Sequence, residues 1–195
     1  MPLRNRLVGA LVVVALSGVS CGGVDSIDVR VVAANVASVE VPPESPVLHP
    51  ATWPQAAAWI EMQSDRGRPT VVNFFASWCA PCRAEAPLLR RAIEENGGAT
   101  AGGVAFLGIA HEDLEAAARA FLRDNHLDGG SGAVRLDTLF DPQGLIAPQV
   151  GGVGLPFTAF FDHRGQLVGT INGVLTETAL AQRLADLRAA ANAAA

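Results

Sequence analysis

The chain has 195 residues, a net charge of −5 and a mean hydropathy of +0.29, and half of its residues are hydrophobic. That is enough apolar material for one cored domain with extensions, and the acidic balance, without a basic run or a basic–aromatic stripe, excludes a general binder of nucleic acid. All 14 basic residues are Arg, which reads as a codon-composition effect and carries no mechanism.

Residues 1–21 read as an export signal. Arg4 and Arg6 form a positive start, and Leu7 to Leu16 is an apolar stretch too short to span a bilayer comfortably. Small residues then lead to Cys21. Residues 22–50 read as a Pro-containing tether, with a weak edge-strand pattern over 36–41. Thr52 is a candidate N-cap for a helix from Trp53 through Met62, since Pro54 is tolerated in a first turn. Arg66-Gly67-Arg68-Pro69 ends it.

Thr70 to Phe75 is an apolar strand, β-branched and aromatic except for Asn73. It runs into Trp78-Cys79-Ala80-Pro81-Cys82, and a helical pattern follows over 83–95, interrupted by Pro87. Two cysteines two residues apart at a strand-to-helix turn read as a redox dithiol. The first would sit at a helix N-terminus, where unpaired N–H groups and the positive end of the helix dipole favour an anion. That stabilises the thiolate, the attacking species in disulfide exchange.

Val104 to Ile109 is a second strand. His111-Glu112-Asp113 reads as a helix start, with Asp113 or Glu112 as cap, for a helix from Leu114 to Asn125. Gly129 to Gly132 is a flexible loop. Asp141-Pro142-Gln143-Gly144 is a turn before a short apolar segment, Leu145 to Val150. Gly151 to Pro156 leads into a strand over Phe157–Phe161, a hairpin turn at 162–165 and a return strand over Gln166–Ile171. A closing helix is predicted from Thr176 to Ala190, with a frayed tail over 191–195. The order is α-β-α-β-α-loop-β-β-α, an α/β fold with a mixed central sheet flanked by helices on both faces. Of the four histidines, His49, His111, His126 and His163, none has metal-ligand spacing, and each reads as a surface loop or cap residue.

Several of these features together resemble the thioredoxin fold, and within it the TlpA/ResA-type extracytoplasmic thiol–disulfide oxidoreductases. They are Val72-Asn73-Phe74-Phe75-Ala76-Ser77-Trp78-Cys79-Ala80-Pro81-Cys82, then Arg83-Ala84-Glu85-Ala86-Pro87, and far downstream Gly154-Leu155-Pro156-Phe157-Thr158. The resemblance covers roughly residues 50–190. It implies an exposed nucleophile at Cys79, a buried resolving thiol at Cys82 and a Cys79–Cys82 disulfide when oxidised. It implies a cis bond at Pro156, with Leu155 main-chain groups free to pair with a substrate peptide. Trp78 would shield one side of the site, Pro81 lies between the cysteines, and Asn73 stands where cytoplasmic thioredoxins carry a buried Asp. Glu85 would accept or supply the proton of Cys82 if buried; a solvated helix Glu is the plainer reading.

The sequence departs from the family in two places. The usual β-hairpin before the first helix is not evident over 35–50, and Phe157 replaces a small or polar residue after the cis-proline. The end of the signal resembles a bacterial lipoprotein signal with Cys21 as the lipidated residue, although Gly18 stands where an aliphatic residue is usual. No cofactor and no metal are implied. The implied substrates are thiols and disulfides of exported proteins, and the implied partner is a membrane-embedded redox protein. The implied state is a lipid-anchored monomer on the outer face of the cytoplasmic membrane or in the periplasm. The resemblance favours a reductase, with cytochrome c assembly as one setting. An exported oxidant and a non-catalytic binding module of the same fold are the alternatives.

Overall fold

The computed structural model describes residues 48–97, 103–130 and 132–194. The predicted export signal, Cys21 and the weak strand over 36–41 lie outside the described residues. The first helix, α1, spans Trp53–Ser64. Thr52 begins it in extended backbone, and Gln55 Oε1 reaches back to accept the Thr52 N–H at 2.7 Å. Strand β1 is Thr70–Phe75, followed by α2 at Ala80–Asn96, β2 at Ala105–His111 and α3 at Glu115–Asp124. Then come β3 at Asp137–Asp141, a short 3₁₀ helix at Ala147–Val150, the hairpin of β4 (Phe157–Phe161) and β5 (Leu167–Asn172), and α4 at Glu177–Asn192.

The five strands form one mixed sheet in the order β3-β2-β1-β4-β5. β1 pairs parallel with β2, setting Val72 opposite Leu107, and antiparallel with β4, setting Val72 opposite Ala159. Every residue of β1 is buried, because it is the central strand with helices over both faces. Period-two alternation divides its side chains between two cores. Val71 and Phe75 join a core with residues of α2, α3 and α4, where the Phe75 ring stacks on Phe121 at 4.6 Å. Val72 and Phe74 join a second core with α1 and the 3₁₀ helix. β1, β2 and β3 are mutually parallel, so their C-terminal ends, together with the start of β4, lie along one edge of the sheet. Open α/β sheets place their sites at that edge.

The structure departs from the sequence reading in several places. β3 falls in a stretch that carried no strand signal. It is an edge strand with Asp137 and Thr138 half-exposed, so its apolar pattern shrinks to Leu139 and Phe140. Residues 48–50, assigned to the tether, are joined to it: Pro50 bridges to Phe140, the Ala51 N–H donates to the Phe140 carbonyl at 2.7 Å, and Leu48 is buried. α2 begins three residues earlier than the helical pattern because Cys79 itself occupies the N-cap. α4 runs two residues further than predicted, to Asn192. Asp113 does not cap α3. The N-cap position is Leu114, and the Asp113 carboxylate is engaged elsewhere. His111 is not a surface residue either: as the last residue of β2 it sits edge-on to Phe74 and 3.5 Å from Asp141.

Candidate active site

Cys79 and Cys82 lie where β1 gives way to α2, at the edge defined by the strand ends. They form a disulfide with Cα atoms 5.3 Å apart. Cys79 is the N-cap of α2, and its sulfur accepts the Cys82 N–H at 3.2 Å. One of the orphan amide donors of a helix start is thereby aimed at the first sulfur, the arrangement that lowers a thiol pKa. Pro81 sits in the first turn, where its fixed φ suits the helix and no hydrogen bond is lost. Both cysteines are buried in this oxidised form, Cys79 with 4% and Cys82 with 1% of their surface exposed. The implied exposed nucleophile is therefore covered here, although it remains the more open of the two.

Trp78 is 59% exposed and is fixed by its indole N–H, which donates to the Glu112 carbonyl at 2.9 Å. One helical turn beyond Cys82 on α2, Glu85 is only 3% exposed, which excludes the solvated reading. Its Oε1 accepts from Asn73 Nδ2 at 2.9 Å and its Oε2 from the Leu175 N–H at 2.7 Å. Burial pushes the Glu85 carboxyl above its ordinary range, against the opposing pull of the Leu175 and Asn73 donors. Asn73 Nδ2 also reaches Thr158 Oγ1 at 3.1 Å, which ties α2 to β1 and β4 through one side chain. The Leu155–Pro156 bond is cis, and Leu155 packs against the core that contains both cysteines.

The structure thus brings Asn73, Trp78, Cys79, Pro81, Cys82, Glu85, Leu155 and Pro156 to one edge. Sequence reasoning missed Thr158, Leu175 and Asp113. Asp113 accepts hydrogen bonds from both the main-chain N–H and the hydroxyl of Ser77, across a separation of 36 residues. No local pattern signals that contact. Among the described residues, no three His, Cys, Asp or Glu side chains gather as metal ligands would.

A mixed five-stranded sheet, a Cys-x-x-Cys disulfide at a helix N-terminus and a cis-proline loop together define a thioredoxin-like fold with a dithiol site. The family model described as the AhpC/TSA family matches residues 50–170, and the chain belongs to that family. The chain is 33% identical over 120 residues to the thiol:disulfide interchange protein DsbE of Pseudomonas fluorescens biotype C, covering 62% of this chain and 60% of the relative. It is 23% identical over 125 residues to the thiol-disulfide oxidoreductase ResA of Bacillus thuringiensis subsp. konkukian, covering 64% and 66%. The chain thus spans less than two thirds of the length of either curated relative. A solved structure of a secreted Mycobacterium tuberculosis disulfide oxidoreductase, homologous to E. coli DsbE, superposes with a TM-score of 0.54 at 25% identity, covering 67% of this chain and 87% of that one.

Proposed function

We propose that this protein is an extracytoplasmic thiol–disulfide oxidoreductase that reduces disulfides of exported polypeptides. The observation that carries the reading is the Cys79–Cys82 disulfide at the N-cap of α2, with the Cys82 N–H on the Cys79 sulfur. In the reduced protein the Cys79 thiolate attacks one sulfur of a substrate disulfide. A bond forms between Cys79 and that sulfur, the substrate S–S bond breaks, and the displaced sulfur leaves as a thiolate that takes a proton from water. Cys82 then gives its proton to the Glu85 carboxylate and attacks the Cys79 sulfur. The Cys79–Cys82 bond forms, the mixed disulfide breaks, and the second substrate sulfur leaves as a thiolate that takes a proton from water, while Glu85 returns the Cys82 proton to solvent. The substrate gains two electrons and two protons, and the dithiol becomes the disulfide. Glu85 suits the proton step because burial has raised its affinity for a proton.

A membrane-embedded dithiol protein would return the pair to the reduced form. The predicted signal over 1–21 and Cys21 support export and a lipid anchor. The relatives named a thiol:disulfide interchange protein and a thiol-disulfide oxidoreductase support the exchange chemistry. The reducing direction, with apocytochrome thiols as one candidate substrate class, follows from the family resemblance of the sequence alone. The same steps run backwards would make an oxidant.

With dithiothreitol as donor, the protein is expected to reduce the disulfides of insulin, and Cys79→Ser is expected to lose that activity. A Cys79→Ser protein as active as wild type sinks the reading and leaves a non-catalytic module. Cys82→Ser should trap Cys79 in a mixed disulfide whose partner mass spectrometry identifies. Recovery of apocytochrome supports a reductase of cytochrome assembly, whereas many newly exported proteins would point to an oxidant.

A further inference from the structure

The turn that carries the cysteines is fastened from across the sheet edge. Ser77, two residues before Cys79, gives its N–H to Asp113 Oδ2 and its hydroxyl to Asp113 Oδ1, the latter at 2.7 Å. Asp113 is buried, and its Oδ1 also accepts the Leu114 N–H at 2.8 Å. One residue further on, the Trp78 indole is held by the Glu112 carbonyl. Glu112 has a φ of 47°, and its own N–H is fixed on the Asp141 carbonyl at 2.8 Å. Gly144, with a φ of 68°, leaves room for the Glu112 side chain: a Cβ there would fall 2.6 Å from Glu112 Oε1. A non-glycine residue keeps positive φ only where its surroundings over-determine it. Here three turns, at 76–78, 112–113 and 141–144, lock one another.

We propose that Asp113 is a positioning residue of the redox site, which acts through Ser77 to keep the Cys79 sulfur at the N-terminus of α2 once the disulfide is open. The proposal rests on the thiol–disulfide reading above. In the oxidised molecule the S–S bond itself fixes the Cys79 sulfur. In the dithiol form that restraint is gone, and the segment over 76–78 decides whether the sulfur stays beside the Cys82 N–H. Stabilisation of a thiolate by a helix start is confined to the first turn, so a loosened segment forfeits it. Arg83 adds a second fastening from the helix, through its guanidinium on the Ser77 carbonyl.

The charged side chains that reach the turn are Arg83 on α2 and Asp113 on the facing turn; the Glu112 carboxylate lies against Gly144, and the Glu85 carboxylate is buried on Asn73 and the Leu175 N–H. The charge of Asp113 alone would disfavour a nearby thiolate. Its three donors compensate that charge, so its geometric effect on Cys79 dominates.

The test is the pH profile of Cys79 alkylation by iodoacetamide in the reduced full chain, with far-UV circular dichroism on each variant to confirm folding. Asp113→Ala is expected to move the thiolate midpoint upward and to slow alkylation at pH 7 by about five- to tenfold, tenfold being one pKa unit. Ser77→Ala loses one of the two contacts and should slow it by about two- to threefold in the same direction, the size of a modest hydrogen bond. Asp113→Asn removes the charge but keeps an oxygen for the Ser77 N–H, and should stay within about twofold of wild type.

If Asn and Ala at position 113 both speed alkylation, charge rather than position is the agent and the proposal is overturned. It is equally overturned if Asp113→Ala folds with the wild-type profile. Should Asp113→Ala fail to fold, Ser77→Ala decides, and an unchanged profile there overturns it. The alkylation assay uses no protein substrate, so its result stands whether or not the wild type reduces insulin.

Discussion

Glu85 shows how one residue's burial sets its chemistry. A carboxyl one helical turn beyond Cys82 would cost little in solvent, but here it is enclosed and holds Asn73 and the Leu175 N–H. Because its folded-state pKa lies above the ordinary value of 4.5, the folded state keeps this proton after the unfolded chain has lost it. The contribution of Glu85 to stability is therefore full below about pH 4.5 and falls as pH rises through the folded pKa. Glu85→Gln carries no such proton. In urea titrations from pH 4 upward, the stability of the variant should gain on wild type by at most ~1.4 kcal/mol per pH unit, then level off above the folded pKa. A constant difference at every pH would mean that Glu85 titrates normally. The sequence placed Glu85 beside the dithiol, but it did not reveal that the carboxyl was buried. That depends on Leu175, 90 positions away, closing over it.

Local chemistry and neighbours contributed unequally to the individual elements. α4 starts where Thr176 Oγ1 accepts the Ala179 N–H at 3.2 Å, a cap made by a neighbour three positions away at the residue where the sequence begins the helix. Thr176→Ala should lower unfolding stability by about 1 kcal/mol, read from the urea midpoint, and leave insulin reduction unchanged. α3 behaved differently. Its apparent cap, Asp113, is drawn away by two donors from Ser77, and Leu114 takes the N-cap position. The turn at Gly144 depends on its neighbour in the same way. Gly144→Ala combines positive φ with a Cβ inside the Glu112 side chain, and should cost about 1–3 kcal/mol in the same titration. β3 was invisible to periodicity because it is an edge strand with only two buried apolar residues, and its pairing with β2 supplies what its own sequence lacks.

On the scale of the whole molecule, β1 joins both cores and delivers the redox turn to the sheet edge. Phe75 is its last residue and stacks on Phe121 of α3, directly behind that turn. Phe75→Ala should cost about 3–5 kcal/mol of stability in guanidinium unfolding, the range for emptying an aromatic site in a packed core. Because Phe75 sits in the strand that carries Cys79, insulin reduction should fall as well. A loss below about 1 kcal/mol would show that the core collapses around the gap. The edge that bears the cysteines is assembled from the ends of β1, β2 and β3 and the start of β4, so no single segment contains the site.

The sequence by itself determined the dithiol, its strand-to-helix context, the parallel β1–β2 unit and the late hairpin, because each is written in residues close together along the chain. Hydrophobic periodicity, turn residues and helix caps act over a few positions and need no distant partner. Only the tertiary structure decided that Cys79 is covered when oxidised, that Glu85 is buried, and that Asp113 serves Ser77 instead of α3. Each of those outcomes turns on contacts between segments distant in sequence, through desolvation and hydrogen bonds that form only once the sheet has brought its edge together. The Cys79–Cys82 pair was legible from five residues; the environment that sets its reactivity is drawn from four separate stretches of the chain.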